Sequence, residues 1–375
     1  MLIMKKDFEI IFIETLRARA QVYNLLGKID KALKDVKEGE KVAEKNNLID
    51  NLAKLYMEKV VAYEILNDYD NMMLYAKKSS ELFKSVDDLT GYANSLNSYA
   101  MALGSKGEYD RELEILQECY SILIKQYQIN ENGEKSRAGG ALGFVLNNLG
   151  FVYKVKGDNE KSLNFYFESL KVRTEIDDKL AQAQSLNNIG MIYARNKDYE
   201  NGILYLEKAK EILKKIGEKK MLSSVIYNIG YIYLFKNELD KSLEYFFESL
   251  PIKREIFDHS TEVLNLASIG VVYEKKGDYE KSIKYLKDAI RLRVKINFYQ
   301  NIDKNFISLF ESFKKSDRMK ESFRYFLRLF EKFLKKENKE IIKILYDIIL
   351  QHKDEKSLTE KVILFEQKYK NIFSQ

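Results

Sequence analysis

One cysteine, one proline and no tryptophan in 375 residues set the first limits on this chain. The lone Cys119 excludes an internal disulfide framework and suits a reducing compartment, so a cytoplasmic location is expected. A single proline, Pro251, and 17 glycines leave little to interrupt helices, and an almost wholly helical chain follows. No apolar run approaches the length that spans a bilayer. The N-terminal apolar stretch is broken by Lys5, Lys6, Asp7 and Glu9, which makes it a poor signal peptide. The two histidines, His259 and His352, lie far apart near predicted turns, are expected to face solvent, and offer no metal-ligand spacing. The formal charge is +6, and residues 311–375 hold 16 Lys+Arg against 11 Asp+Glu. That excess is too dilute for nucleic-acid binding. What is abundant is core-forming material: 45% hydrophobic residues, with 26 Tyr and 21 Phe.

That material is ordered by a repeat. Asn148-Leu149-Gly150-x-x-Tyr153 is followed by Gly157-Asp158 and Lys161-Ser162-Leu163. Asn188-Ile189-Gly190-x-x-Tyr193, Asn228-Ile229-Gly230-x-x-Tyr233 and Ser268-Ile269-Gly270-x-x-Tyr273 follow at intervals of 40. A fixed period of this size marks stacked supersecondary units. Each copy reads as a helical hairpin: Leu149, Gly150 and Tyr153 share one helix face, and Leu163, Tyr166 and Leu170 form a second stripe. Between them Gly157 suits a left-handed helix end and Asp158 an N-cap.

Aligned on the turn, the hairpins fall at 27, 67, 107, 157, 197, 237, 277, 317 and 357, with seven intervals of 40 and one of 50. The expected organisation is a lead-in helix over 1–12, eight repeats over 13–342, and a degenerate cap over 343–375 seen in Leu350, Val362 and Phe365. The ten extra residues lie within 127–141 and read as a longer loop, or as a contact loop over a groove. Arg137-Ala138-Gly139-Gly140 is no phosphate loop, since no strand precedes it and no Gly-Lys-Ser/Thr follows. Pro251 falls inside a second helix and predicts a kink or early end near Leu250. Glu112 stands where other repeats carry a small residue, and a carboxylate there needs a partner or a route to water.

Small residues at the eighth, twentieth and twenty-seventh positions, with aromatics at the eleventh and twenty-fourth, make the unit similar to the tetratricopeptide repeat. The first repeat shows the small set in Ala20, Ala32 and Gly39, with Tyr23 as the first aromatic. The repeat's usual Trp and Pro are missing, and the unit of 40 resembles the longer-helix members rather than the type of about 34. The resemblance implies an all-α, right-handed superhelical solenoid of about nine helix-turn-helix units. It also implies a concave groove lined by the first helices.

Catalytic constellations are not apparent, and neither a cofactor nor a catalytic residue is expected. Cys119 takes the slot filled elsewhere by Gly39, Ser79, Ser169, Ala209, Ser249 and Ala289, so it reads as a buried small residue. Asp177-Asp178 reads as a solvated, capping pair between repeats. The face opposite the core stripe carries Asn97, Asn147 and Asn148, Asn187 and Asn188, then Tyr227 and Asn228. Phe151, Met191 and Tyr231 lie one turn along, and Lys154 and Arg195 beyond them. Asn is a poor interior helix residue because its amide competes with the backbone, so its recurrence needs a cause. A carboxamide both donates and accepts. A row of them suits the main chain of an extended peptide, and it equally suits bridges between neighbouring repeats. Similar rows occur in kinesin light chains and Rap-type peptide receptors. That resemblance implies a non-catalytic scaffold that holds a protein or peptide segment, or a sensor governing a separate signalling enzyme or transcription factor.

Overall fold

Turn chemistry sets the fold before packing does. In the computed structural model, which describes residues 2–129 and 132–373, eight successive turn residues have left-handed backbone. They are Gly27, Asn67, Gly107, Gly157, Lys197, Asn237, Gly277 and Asp317. Glycine adopts this conformation freely, and Asn or Asp at modest cost. A second left-handed series, offset by half a repeat, runs through Asn47, Asp87, Asp177, Gly217, Phe257, Asn297 and Glu337. Each left-handed residue ends one helix, and an aspartate often caps the next. Asp68, Asp88, Asp158, Asp178, Asp258 and Asp278 each accept from a backbone N–H three residues on.

The chain forms two compact units, Met1–Asp198 and Tyr199–Gln375. The first holds α1 (Leu2–Leu25), α2 (Ile29–Lys45), α3 (Ile49–Ile65), α4 (Tyr69–Ser85), α5 (Leu89–Ser105), α6 (Tyr109–Ile129), α7 (Asn132–Val155), α8 (Asn159–Glu175) and α9 (Lys179–Arg195). The second holds α10 (Tyr199–Ile216), α11 (Lys219–Phe235), α12 (Leu239–Glu255), α13 (His259–Lys275), α14 (Tyr279–Ile296), α15 (Ile302–Lys315), α16 (Met319–Leu334), α17 (Lys339–Leu350) and α18 (Thr359–Tyr369). No strand occurs among the described residues. Within each unit helices adjacent in sequence pack together, the pattern of an all-α solenoid.

The small-residue positions explain the close packing. The Ser162 and Ser242 hydroxyls donate to the Gly150 and Gly230 carbonyls at 2.8 Å. Ser79, Ser169 and Ser249 reach the first-helix carbonyls of Ala53, Gly143 and Ser223 at 2.8–2.9 Å. Cys119 makes the same contact, its thiol 3.3 Å from the Ala93 carbonyl. Burial pushes that thiol up to about 12, so it is not a thiolate nucleophile at neutral pH. At Gly150 a Cβ would lie 2.8 Å from the Tyr166 ring, so the crossing excludes any side chain. Leu116, Leu123, Leu142, Val145 and Val152 fill the core around α6 and α7. In the second unit Phe306, Phe313, Phe326, Phe330 and Phe365 form its C-terminal core.

Four local expectations are corrected. The extra residues within 127–141 are not a long loop: α6 runs on to Ile129, and α7 starts at Asn132. No proline interrupts either stretch, and the close fit of Tyr127 to Gly139, where a Cβ would lie 2.9 Å from the ring, joins the extensions. Residues 130–131, part of the 127–141 span expected to form the loop, lie outside the described residues. The lead-in over 1–12 is no separate helix, because α1 continues through it to Leu25. Of the kink or early end expected near Leu250, the early end does not occur, because α12 continues to Glu255; Pro251 sits on the exposed side, where water can satisfy the carbonyl it leaves unpaired. His352 is buried, not solvent-facing. Its Nε2 lies 2.9 Å from the Ser322 hydroxyl and its Nδ1 3.0 Å from the Ile348 carbonyl. Burial lowers its pKa, which keeps the ring neutral.

Candidate functional site

In the first unit the asparagines join neighbouring repeats by one recurring bond. Asn148 Nδ2 donates to Asn97 Oδ1 at 2.9 Å, and Asn188 Nδ2 donates to Asn147 Oδ1 at 2.8 Å. In each case the fifth residue of one repeat accepts from the sixth of the next. Asn187 Nδ2 points back to Asn188 Oδ1 at 3.4 Å. In the second unit Tyr227 and Ser268 hold the same two places, their hydroxyl oxygens 2.9 Å apart. The bridging role considered for these amides is therefore present. It does not exhaust them, because a carboxamide has two N–H donors and two acceptor lone pairs, and one bridge uses one of each kind at most.

Beside the bridges a cavity of about 380 Å³ opens, walled by Asn147, Asn148, Phe151 and Lys154 of α7, Asn188 of α9 and Met101 of α5. Gly104, Tyr109, Glu112 and Tyr166 also line it. Phe151 is 41% exposed, and the Lys154 ammonium lies 4.4 Å from its ring centroid. Burial lowers the Lys154 pKa, and the neighbouring Arg195 lowers it further. Arg195 is exposed and donates to the Lys154 carbonyl at 3.2 Å. Asn97 is buried behind the bridge, whereas Asn187 and Met191 are half-buried.

The remaining three candidates lie in the second unit and form an aromatic patch. Tyr227 stacks on Tyr231 at 6.1 Å, and Tyr231 meets Phe235 edge-on at 4.7 Å. Lys253, 2% exposed, lies 4.8 Å from the Tyr227 ring centroid, and burial lowers its pKa to about 8. Asn228 is half-buried on the same helix.

Two groups of functional interest escaped the sequence reading. Glu112 stood out in the sequence as a carboxylate at a small-residue position but without a role, although its pairing with Gly104 was a usable signal. The buried cations Arg173, Lys253 and Arg293 recur at the same place in their repeats. Arg173 donates to the Ala181 carbonyl and the Ser185 hydroxyl, and Arg293 to Asn305 Oδ1 and the Gln300 carbonyl. These bonds fasten one hairpin to the next. Among the described residues no cluster of three or more His, Cys, Asp or Glu is placed to hold a metal. No helix among them is long and apolar enough to cross a membrane.

Residues 142–215 match a tetratricopeptide repeat family model, and residues 223–254 and 265–293 match a second model of the same repeat. Over those stretches the chain is similar to tetratricopeptide repeats. Among curated proteins, the RxLR effector protein SFI4 of Phytophthora infestans (strain T30-4) is 28% identical over 120 residues, 31% of this chain. The chain matches about a third of that relative's length, 35% of it. Among solved structures, a Rap protein complexed with competence and sporulation factor has a TM-score of 0.55 at 15% identity, over 93% of this chain and 98% of that one. A STAND protein with a tetratricopeptide repeat sensor from Pyrococcus horikoshii gives 0.63 at 16% identity, over 94% of this chain and 48% of that one. BtubC from P. vanneervenii gives 0.54 at 19% identity, over 62% and 93%. At these identities the likeness is one of fold. Tetratricopeptide repeats are in general non-catalytic scaffolds for protein interaction.

Proposed function

We propose that the asparagine face of the first unit binds an extended segment of a partner protein or peptide, without catalysis. The observation that carries the reading is the cavity beside the bridges, where amides with unspent hydrogen-bonding capacity adjoin an exposed aromatic ring. Asn147, Asn148 and Asn188 would meet the segment's main chain, and Phe151 and Met101 its apolar side chains. The aromatic patch of Tyr227 and Tyr231 is a second contact surface of the same kind. In a repeat protein such binding tightens unit-to-unit contacts, which also suits a sensor acting on a separate enzyme or transcription factor.

Phe151→Ala tests this without touching a bridge. A random dodecapeptide display on the immobilised full chain should yield binders, and the substitution should weaken them at least tenfold with an unchanged melting temperature, about 1.4 kcal/mol of binding. A library that yields no binder, or binders indifferent to Phe151→Ala, would contradict the reading.

A further inference from the structure

Glu112 lies in the cavity wall, is 3% exposed, and has no hydrogen-bond partner at Oε2. Its place in the repeat is held elsewhere by Ala32, Met72, Ser162, Gly202, Ser242, Ser282 and Ser322. Ser162 and Ser242 use that place to donate to a first-helix carbonyl. An ionised carboxylate has no proton to give, so the charged form of Glu112 cannot reproduce their bond. It also needs more room, and Gly104 provides it: a Cβ at 104 would lie 2.2 Å from Oε2. The corresponding residues of other repeats are Asn24, Glu64, Lys154, Ala194, Leu234, Glu274 and Lys314, none of them glycine. One repeat thus carries both departures, a carboxylate and the gap that houses it.

A carboxylate buried for structural reasons comes with a cation or several donors, because an unpaired buried charge is costly. Here the orphan oxygen belongs to a residue bordering an open cavity. Lys154 borders the same cavity, yet its ammonium sits over the Phe151 ring. Burial with no counter-charge raises Glu112 to about 7. Strong perturbation of a group in a cleft is a mark of functional sites.

We propose that Glu112, in the gap left by Gly104, is a subsite for a basic side chain of the bound segment, its ammonium or guanidinium pairing with the carboxylate. This rests on the segment-binding reading above and adds the chemistry that the segment must present. Lys154, which lines the cavity, and Arg195 beside it disfavour a second basic residue there, so one fixed basic position is expected.

The display experiment, repeated with Glu112→Gln, tests it. Wild-type binders should share a Lys or Arg at one register. Replacing that residue by norleucine in a synthetic binder should weaken wild-type binding at least tenfold and leave Glu112→Gln binding nearly unchanged. Glu112→Ser, which installs the residue of other repeats, should behave like Glu112→Gln and guards against a folding defect in one variant. Binders that depend on Phe151 but show no basic preference would overturn the subsite and leave segment binding standing. A norleucine peptide that binds both variants as tightly as its parent would do the same. A library with no binders would overturn both.

Discussion

Arg173→Ala is expected to lower the unfolding free energy of the first unit by about 3 kcal/mol, since two bonds from a charged donor are lost and a void remains. Arg173 is 1% exposed. Its Nη1 donates at 2.8 Å to the Ala181 carbonyl and at 2.9 Å to the Ser185 hydroxyl, and its own carbonyl accepts from Gln182 Nε2 at 3.1 Å. The side chain, carried by α8, therefore holds the first turns of α9. Burial lowers its pKa to about 10, with Asp178 opposing, so it stays charged at neutral pH. Arg173→Met keeps most of the volume and removes the buried charge, so it should cost less than Arg173→Ala. Urea unfolding of the full chain followed by circular dichroism measures both. Equal, negligible losses would mean that the hairpins are joined by apolar packing alone.

The second large effect depends on pH. Glu112 has a folded pKa raised from 4.5 to about 7 by burial. A carboxyl group raised on folding favours the folded state fully below its unfolded value, and that contribution is lost as pH rises through the folded value. The titratable groups that line the cavity with it are Lys154 of α7, Tyr166 of α8 and Tyr109 on its own helix. Between pH 4.5 and 8 the chain should lose about 3 kcal/mol relative to Glu112→Gln. The two proteins should match at pH 4.5, and Glu112→Gln should be the more stable at pH 8. Parallel stability curves would show that the carboxylate is already compensated.

The period, the turns and the small positions were legible because each repeats a local physical demand. Asn, Asp or Gly at the left-handed turn, a small residue at the crossing and an aspartate cap recur whatever lies elsewhere. The extension of α6 and α7 was not legible, because loop and helix differ there through the long-range fit of Tyr127 to Gly139. His352 looked like a surface residue because its partners, Ser322 and the Ile348 carbonyl, lie in other helices or depend on how α17 ends. The asparagine row was legible as a pattern, and its bridges were among the outcomes considered. The cavity was not, since Glu112, Gly104, Phe151 and Asn188 come from four helices.

Side-chain amide spectra of the chain labelled with ¹⁵N-asparagine test the central claim most directly. On titration with a display-selected segment, the signals of Asn147, Asn148 and Asn188 should shift and saturate together, and Phe151→Ala should move saturation to at least tenfold higher peptide concentration. Shifts confined to asparagines elsewhere, with these three unmoved, would contradict the account.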